Sequence, residues 1–171
     1  ILLIGDSTIS VEVGSSFNDP GATASDTNDG DITSSIIVSG AFDLNSTGTY
    51  ALTYNVSDSA GNSADSVTRT IIVGDTTPPQ FSLNGDSNLD IGLNTVFVDP
   101  GATAIDSYEG DISSSVNIIG NVDTSIIGST TLFYNVSDSS GNAASQLVRT
   151  VNVVENTLPI ISLIGDASVS I

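Results

Sequence analysis

The chain has 171 residues, 20 of them acidic, with two Arg, no Lys and no His, for a net charge of -18; a nucleic-acid partner is excluded because phosphate contacts need Lys and Arg, and anionic membrane surfaces are disfavoured for the same reason. It is nevertheless 39% hydrophobic, with a mean hydropathy of +0.23, which excludes a disordered acidic coil. With no Cys and no His, zinc, copper and haem lack their usual ligands, and only hard oxygen donors remain, the kind that suits calcium or magnesium.

The opening "ILLI" is too short and lacks the basic flank of a signal peptide. No run of about 18 apolar residues occurs anywhere, so direct membrane insertion is not expected. The chain reads as a mature piece of something longer. Turn signals follow at Gly5-Asp6 and at Asp19-Pro20-Gly21, the latter a kink that re-aims a strand. Next comes Ala24 to Ser35, "ASDTNDGDITSS", with Asp26, Asp29 and Asp31 close together. In "YALTYNVSD" the residues Tyr50, Leu52, Tyr54 and Val56 alternate, the period of a half-buried strand. A turn at Asp58 to Asn62 closes it. Arg69 then shares strand parity with Val67, Ile71 and Val73. A lone Arg on the core parity either pairs with a carboxylate, for which Asp19 and Asp99 are candidates, or snorkels out at the sheet edge.

After the linker "GDTTPP" the pattern repeats 80 residues on, without a gap. "DPGATA" at Asp19 returns at Asp99, "YNVSDSAGN" at Tyr54 returns as "YNVSDSSGN" at Tyr134, and "RTIIV" at Arg69 returns as "RTVNV" at Arg149. "PQFSLNGD", ending at Asp86, starts again as "PIISLIGD", ending at Asp166. Two complete modules are expected, 1–77 and 78–157, with the first strands of a third at 158–171. No window offers a capped helical stripe. Six or seven short strands in about 80 residues indicate an all-β chain of tandem immunoglobulin-like sandwiches in an extended array.

The strings P-x-x-x-L-x-G-D, D-P-G-A-T-A-x-D-x-x-x-G-D-I, Y-N-V-S-D-x-x-G-N and R-T-x-x-V resemble the immunoglobulin-like repeats of bacterial surface proteins. That domain type also occurs in an insecticidal crystal toxin, and hyalin repeats are a more distant relative. The resemblance covers both modules and the third start. It implies a tandem Ig-like fold in a large exported or cell-surface protein, with a calcium role common among such modules.

Strand order says where the acids go. In the second module, strands near Phe81–Leu83 and Leu89–Ile91 run down, and the strand ending at Ala104 runs up to Asp106. Val116–Ile119 runs down, Thr130–Val136 runs up to "SDSSGN", and Ser145–Val153 runs down to the next linker. Asp106, Glu109, Asp111, Asp138 and Asn142 are therefore expected at one pole, joined by Asp75 of the linker. Two carboxylates about 5 Å apart at an effective dielectric near 20 repel by roughly 3 kcal/mol, a repulsion that a bound cation converts to cohesion. The bland alternative is a pair of solvated Asp-Gly turns. The spacing is not that of an EF-hand, since with Asp26 as position one the twelfth position is Ile37 rather than Glu. In the first module the equivalent set is Asp26, Asp29, Asp31, Asp58 and Asn62. It lacks a preceding linker acid, so the second site is expected to be the tighter. Glu155 holds the place of Asp75 at the second junction.

Catalysis has little support, since no His, Cys or Lys and no G-x-S-x-G elbow is present. Four Tyr and no Trp offer few platforms for stacking a sugar. The expected role is a calcium-rigidified spacer, stalk or fibre segment of a bacterial cell-surface or extracellular protein, partnered by neighbouring repeats or fibre subunits. The alternative is a calcium-dependent adhesive or glycan-binding module, which a cluster of exposed aromatics around Tyr108 would favour. The third start leaves an apolar edge that a further module or another subunit would cover.

Overall fold

The computed structural model describes residues 1–155; the expected opening strands of a third repeat lie outside the described residues. The first repeat contributes β1 (Leu2–Leu3), β2 (Thr8–Glu12), β3 (Ala22–Thr23), β4 (Ser25–Asp26), β5 (Gly30–Asp31), β6 (Ile37–Ser39), β7 (Gly48–Asn55) and β8 (Val67–Gly74). The second contributes β9 (Gln80–Leu83), β10 (Asn88–Gly92), β11 (Ala102–Asp106), β12 (Gly110–Asp111), β13 (Asn117–Ile119), β14 (Gly128–Asn135) and β15 (Leu147–Val154). The only helical segments among the described residues are single 3-10 turns at Thr33–Ser35 and Ser113–Ser115.

Each repeat builds a four-stranded sheet of the same order, β2-β8-β7-β6 and β10-β15-β14-β13. Its hairpin pairs are antiparallel, and its first strand joins parallel, with Thr8 opposite Thr70 and Asn88 opposite Thr150. The facing layer is made of β1 with β3 and the β4–β5 hairpin in the first repeat, and of β9, β11 and β12 in the second. The alternation read from the sequence is the alternation of burial: Leu52, Tyr54, Ile71 and Val73 form the first core, and Leu132, Tyr134 and Val151 the centre of the second. At Gly40 and Gly120, which follow the edge strands, φ is +109 and +122, and a Cβ would lie 2.2 and 2.8 Å from the carbonyl oxygens of Ala51 and Thr131. Only glycine fits a backbone so placed.

The two arginines do not snorkel. Arg69 and Arg149 are 0% exposed and stand at the centre of the sandwiches. Arg69 pairs with Asp19 and donates to the carbonyls of Ile4 at 2.6 Å and Gly21 at 3.1 Å. Arg149 pairs with Asp99 and donates to Asn84 O at 2.5 Å and Asp86 O at 3.1 Å. The "DPG" kink thus supplies the counter-ion of a buried guanidinium as well as a bend. The hydroxyls of Tyr54 and Tyr134 donate to the same carboxylates at 2.6 and 2.7 Å, and each ring lies beside the guanidinium. With no disulfide available, this Asp–Arg–Tyr cluster pins the two layers together at the level where a disulfide would otherwise serve.

Burial, together with the neighbouring carboxylate, pushes both tyrosine hydroxyls up to about 12, against about 10 in the unfolded chain. A raised pKa stabilises the fold fully below the unfolded value and loses that contribution as pH rises through the folded one. Each repeat is therefore expected to lose stability between about pH 10 and 12. Urea midpoints followed from pH 9 to 12 should fall in the parent, and Tyr134→Phe should flatten the fall for the second repeat. A midpoint independent of pH across that range would contradict the assignment.

Contacts along the chain define two compact units. One holds Ile1–Pro78 together with Asp106–Gly110 and Asp138–Asn142; the other holds Pro79–Ile105, Asp111–Ser137 and the chain from Ala143 on. Two short loops of the second repeat thus belong to the first unit, and the linker acid lies in the same unit.

Candidate metal centre

Asp106 ends β11, and its placement is set by its own turn. Its Oδ1 accepts the N–H groups of Tyr108 at 2.7 Å and Glu109 at 2.9 Å, and Gly110 closes the turn with φ +81. Asp138 organises the other loop. Its two oxygens accept the backbone N–H and the side-chain amide of Asn142, both at 2.8 Å, and Gly141 takes φ +92. Asp and Asn favour such turns because a short side-chain acceptor reaches the backbone two to four residues on. Asp75 follows the end of β8. Its Oδ1 accepts Thr77 N–H at 3.2 Å, and its carbonyl accepts the Asn142 amide at 3.1 Å.

These turns bring three carboxylates together. One oxygen each of Asp75, Asp106 and Asp138 lies within 4.8 Å of the others. The residues are 7%, 2% and 8% exposed. Oδ2 of Asp75 and Oδ2 of Asp106 are both inaccessible to solvent and without a hydrogen-bond partner. Among the described residues this is the one cluster of three potential metal ligands of this kind. Burial is the main cause that pushes the Asp75 carboxyl up, reinforced by the charges of Asp106 and Asp138. Burial also pushes on Asp138, but the Asn142 side chain and N–H groups of its loop hold it below the usual carboxylate range.

The remaining sequence candidates are placed differently. Glu109 turns to the neighbouring loop, where it accepts the N–H of Ser139 at 2.8 Å and the Ser139 hydroxyl. Asp111 precedes the 3-10 turn and accepts the N–H of Ser113, two residues on, at 2.9 Å. Asn142 presents its amide N–H groups to Asp138 and to the Asp75 carbonyl. In the first repeat the scaffold is copied: Asp26 accepts from Asn28 and Asp29, Asp58 accepts from Asn62, Asp29 accepts from Ser59, and Asp31 accepts from Thr33. There Asp26 and Asp58 are only half-buried, and no third carboxylate joins them among the described residues. Glu155 is exposed at the end of the described chain. Sequence reasoning passed over Glu12, whose carboxylate grips the linker at Thr76 and Thr77.

The family described as "Bacterial surface protein, Ig-like domain" matches residues 1–73 and 81–153, one match for each repeat. The chain belongs to this family of bacterial surface Ig-like domains. Hyalin from Strongylocentrotus purpuratus is 34% identical over 130 residues, which is 71% of this chain and 10% of hyalin, so the chain spans about a tenth of that relative. The lipoprotein BT2262 of Bacteroides thetaiotaomicron is similar at 32% identity and a TM-score of 0.43, over 47% of this chain and 40% of that one. The M60 catalytic domain of Clostridium perfringens ZmpB with its CBM51-1 and CBM51-2 domains is similar at 16% identity and a TM-score of 0.43, over 94% of this chain and 32% of that one. The family ties the Ig-like repeats to the bacterial surface. Among the described residues no helix is long and apolar enough to cross a membrane.

Proposed function

We propose that this chain is a non-enzymatic spacer segment of a bacterial surface protein, and that Asp75, Asp106 and Asp138 hold a calcium ion that fastens the linker to the two loops. The observation that carries the reading is the pair of buried, unbonded oxygens on Asp75 and Asp106. A buried carboxylate oxygen without a partner is costly, and three carboxylates at this separation repel pairwise by about 3 kcal/mol at an effective dielectric of 20. No Lys or Arg is close enough to offset that charge: the two arginines are committed to Asp19 and Asp99. A divalent cation with hard oxygen ligands satisfies both needs, and calcium tolerates an irregular oxygen shell that backbone carbonyls and water complete.

The aromatic residues favour a spacer over a glycan binder. Tyr54 and Tyr134 are committed to the cores. Tyr108 is exposed, in a shallow cleft lined otherwise by Val13, Gly14, Asn45 and Ser107, with no second ring for stacking.

Calorimetric titration tests the site. Calcium should bind in the range of about 10⁻⁴ to 10⁻³ M typical of extracellular modules. Asp75→Asn or Asp138→Asn should abolish that binding, while Asp111→Asn, which alters only a local bond to the Ser113 N–H, should leave it intact. No heat of binding at several millimolar calcium would end the calcium reading.

A further inference from the structure

Glu12 ends β2 opposite Gly74 and is half-buried there. It adds a fourth carboxylate to the same unit as the acidic triad. Its two oxygens are nonetheless fully engaged by the linker. Oε1 and Oε2 share the N–H of Thr76 at 3.2 and 3.0 Å, Oε2 accepts the Thr76 hydroxyl at 2.5 Å, and Oε1 accepts the Thr77 hydroxyl at 2.7 Å. One residue after Glu12, Val13 N–H donates to Gly74 O at 2.9 Å and holds the end of β8. Asp75 therefore sits between two anchored points, Gly74 before it and Thr76–Thr77 after it, while the Asn142 amide holds its own carbonyl. The Thr77 N–H then fixes one carboxylate oxygen and leaves the other unbonded.

We propose that Glu12 is the positioning residue of the cation site: by clamping Thr76 and Thr77 it presets the Asp75 carboxylate against Asp106 and Asp138 before any ion arrives. The inference rests on the calcium reading above and adds a rule of affinity to it. Ordering a free linker costs backbone entropy, and a clamp formed beforehand removes that cost from the binding step. The second repeat has Gly92 at the position of Glu12, and Asn156 at that of Thr76, so its sequence has no equivalent clamp. A repeat with Glu here is a tight junction and one with Gly a looser one, so the calcium response is graded from junction to junction.

The test compares the parent chain with Glu12→Ala and with the charge-neutral double variant Thr76→Val/Thr77→Val, each titrated with calcium chloride by calorimetry and melted in chelator. The expected result is a dissociation constant raised about tenfold in both, the size of effect that groups orienting metal ligands commonly have, with melting in chelator changed little. The double variant separates the clamp from a simple loss of negative charge, because it keeps Glu12. Affinity within twofold of the parent in both variants would overturn the proposal, as would an unchanged affinity with a large fall in the chelator melt, which would make Glu12 a structural residue only. If the parent itself binds no calcium, the underlying reading fails and the positioning role falls with it; if the parent binds and both variants bind equally, only the positioning role fails.

Discussion

Replacing Arg149 by Leu should cost the second repeat about 3 to 5 kcal/mol, the range for removing one partner of a buried ion pair. The guanidinium is fully enclosed, and its loss leaves the Asp99 carboxylate without its counter-ion and the Tyr134 hydroxyl beside an uncompensated charge. The carbonyls of Asn84 and Asp86 lose the arginine donor too, and that of Gly101 keeps only the Asn84 N–H. A module of this size has about 5 to 10 kcal/mol of stability in all, so the variant repeat should be largely unfolded at moderate urea. Arg149→Lys should not rescue it, because an ammonium has three donors and no planar fork for a carboxylate and several carbonyls at once. Urea denaturation followed by far-ultraviolet circular dichroism should show the second repeat unfolding at much lower urea. A midpoint within the error of the parent would mean that the cluster is not the staple of the fold. Arg69→Leu should act in the same way on the first repeat.

Saturating calcium should raise the melting temperature of the first unit by about 10 to 20 °C. The expectation follows from mass action: a ligand at 100 times its dissociation constant stabilises the native state by about 2.7 kcal/mol, and each kcal/mol moves the midpoint of a 60–100-residue domain by roughly 4 to 8 °C. Magnesium should do less, since it holds its water and demands a regular octahedron. A scan in chelator that superimposes on one in calcium would remove the ion from the account.

Much of this was legible in the sequence because repetition and alternation are direct records of packing. Tyr54 and Tyr134, Ile71 and Val151 alternate onto the core face and are buried there. The chain's direction along each strand was enough to send Asp106 and Asp138 to one pole, and the repeat placed Asp75 in the linker that meets them. The fates of Glu109 and Asp111 were not legible, because they are decided by hydrogen-bond reach. Glu109 finds the N–H and hydroxyl of Ser139 in the facing loop, and Asp111 finds the N–H of Ser113 two residues on. Both bonds depend on loop backbone geometry that no periodicity encodes. Glu12 was hidden for a related reason: it closes an ordinary strand, and its target lies 64 residues away in the linker. Asp19 and Asp99 were legible as candidate partners of the arginines, and the depth of the sandwich decides for the ion pair over an arginine that snorkels out.

The central claim, that a cation relieves the mutual repulsion of the buried acids, is tested most directly by melting Asp106→Asn in chelator and in calcium. Asp106 is 2% exposed, with one oxygen unbonded among the carboxylates of Asp75 and Asp138. An amide there removes one charge and offers an N–H where repulsion stood. The account predicts opposite signs: in chelator the variant melts at or above the parent, and in calcium it melts well below the parent because the calcium increment is gone. A variant that melts below the parent in chelator and still gains the parent's full increment in calcium would contradict it.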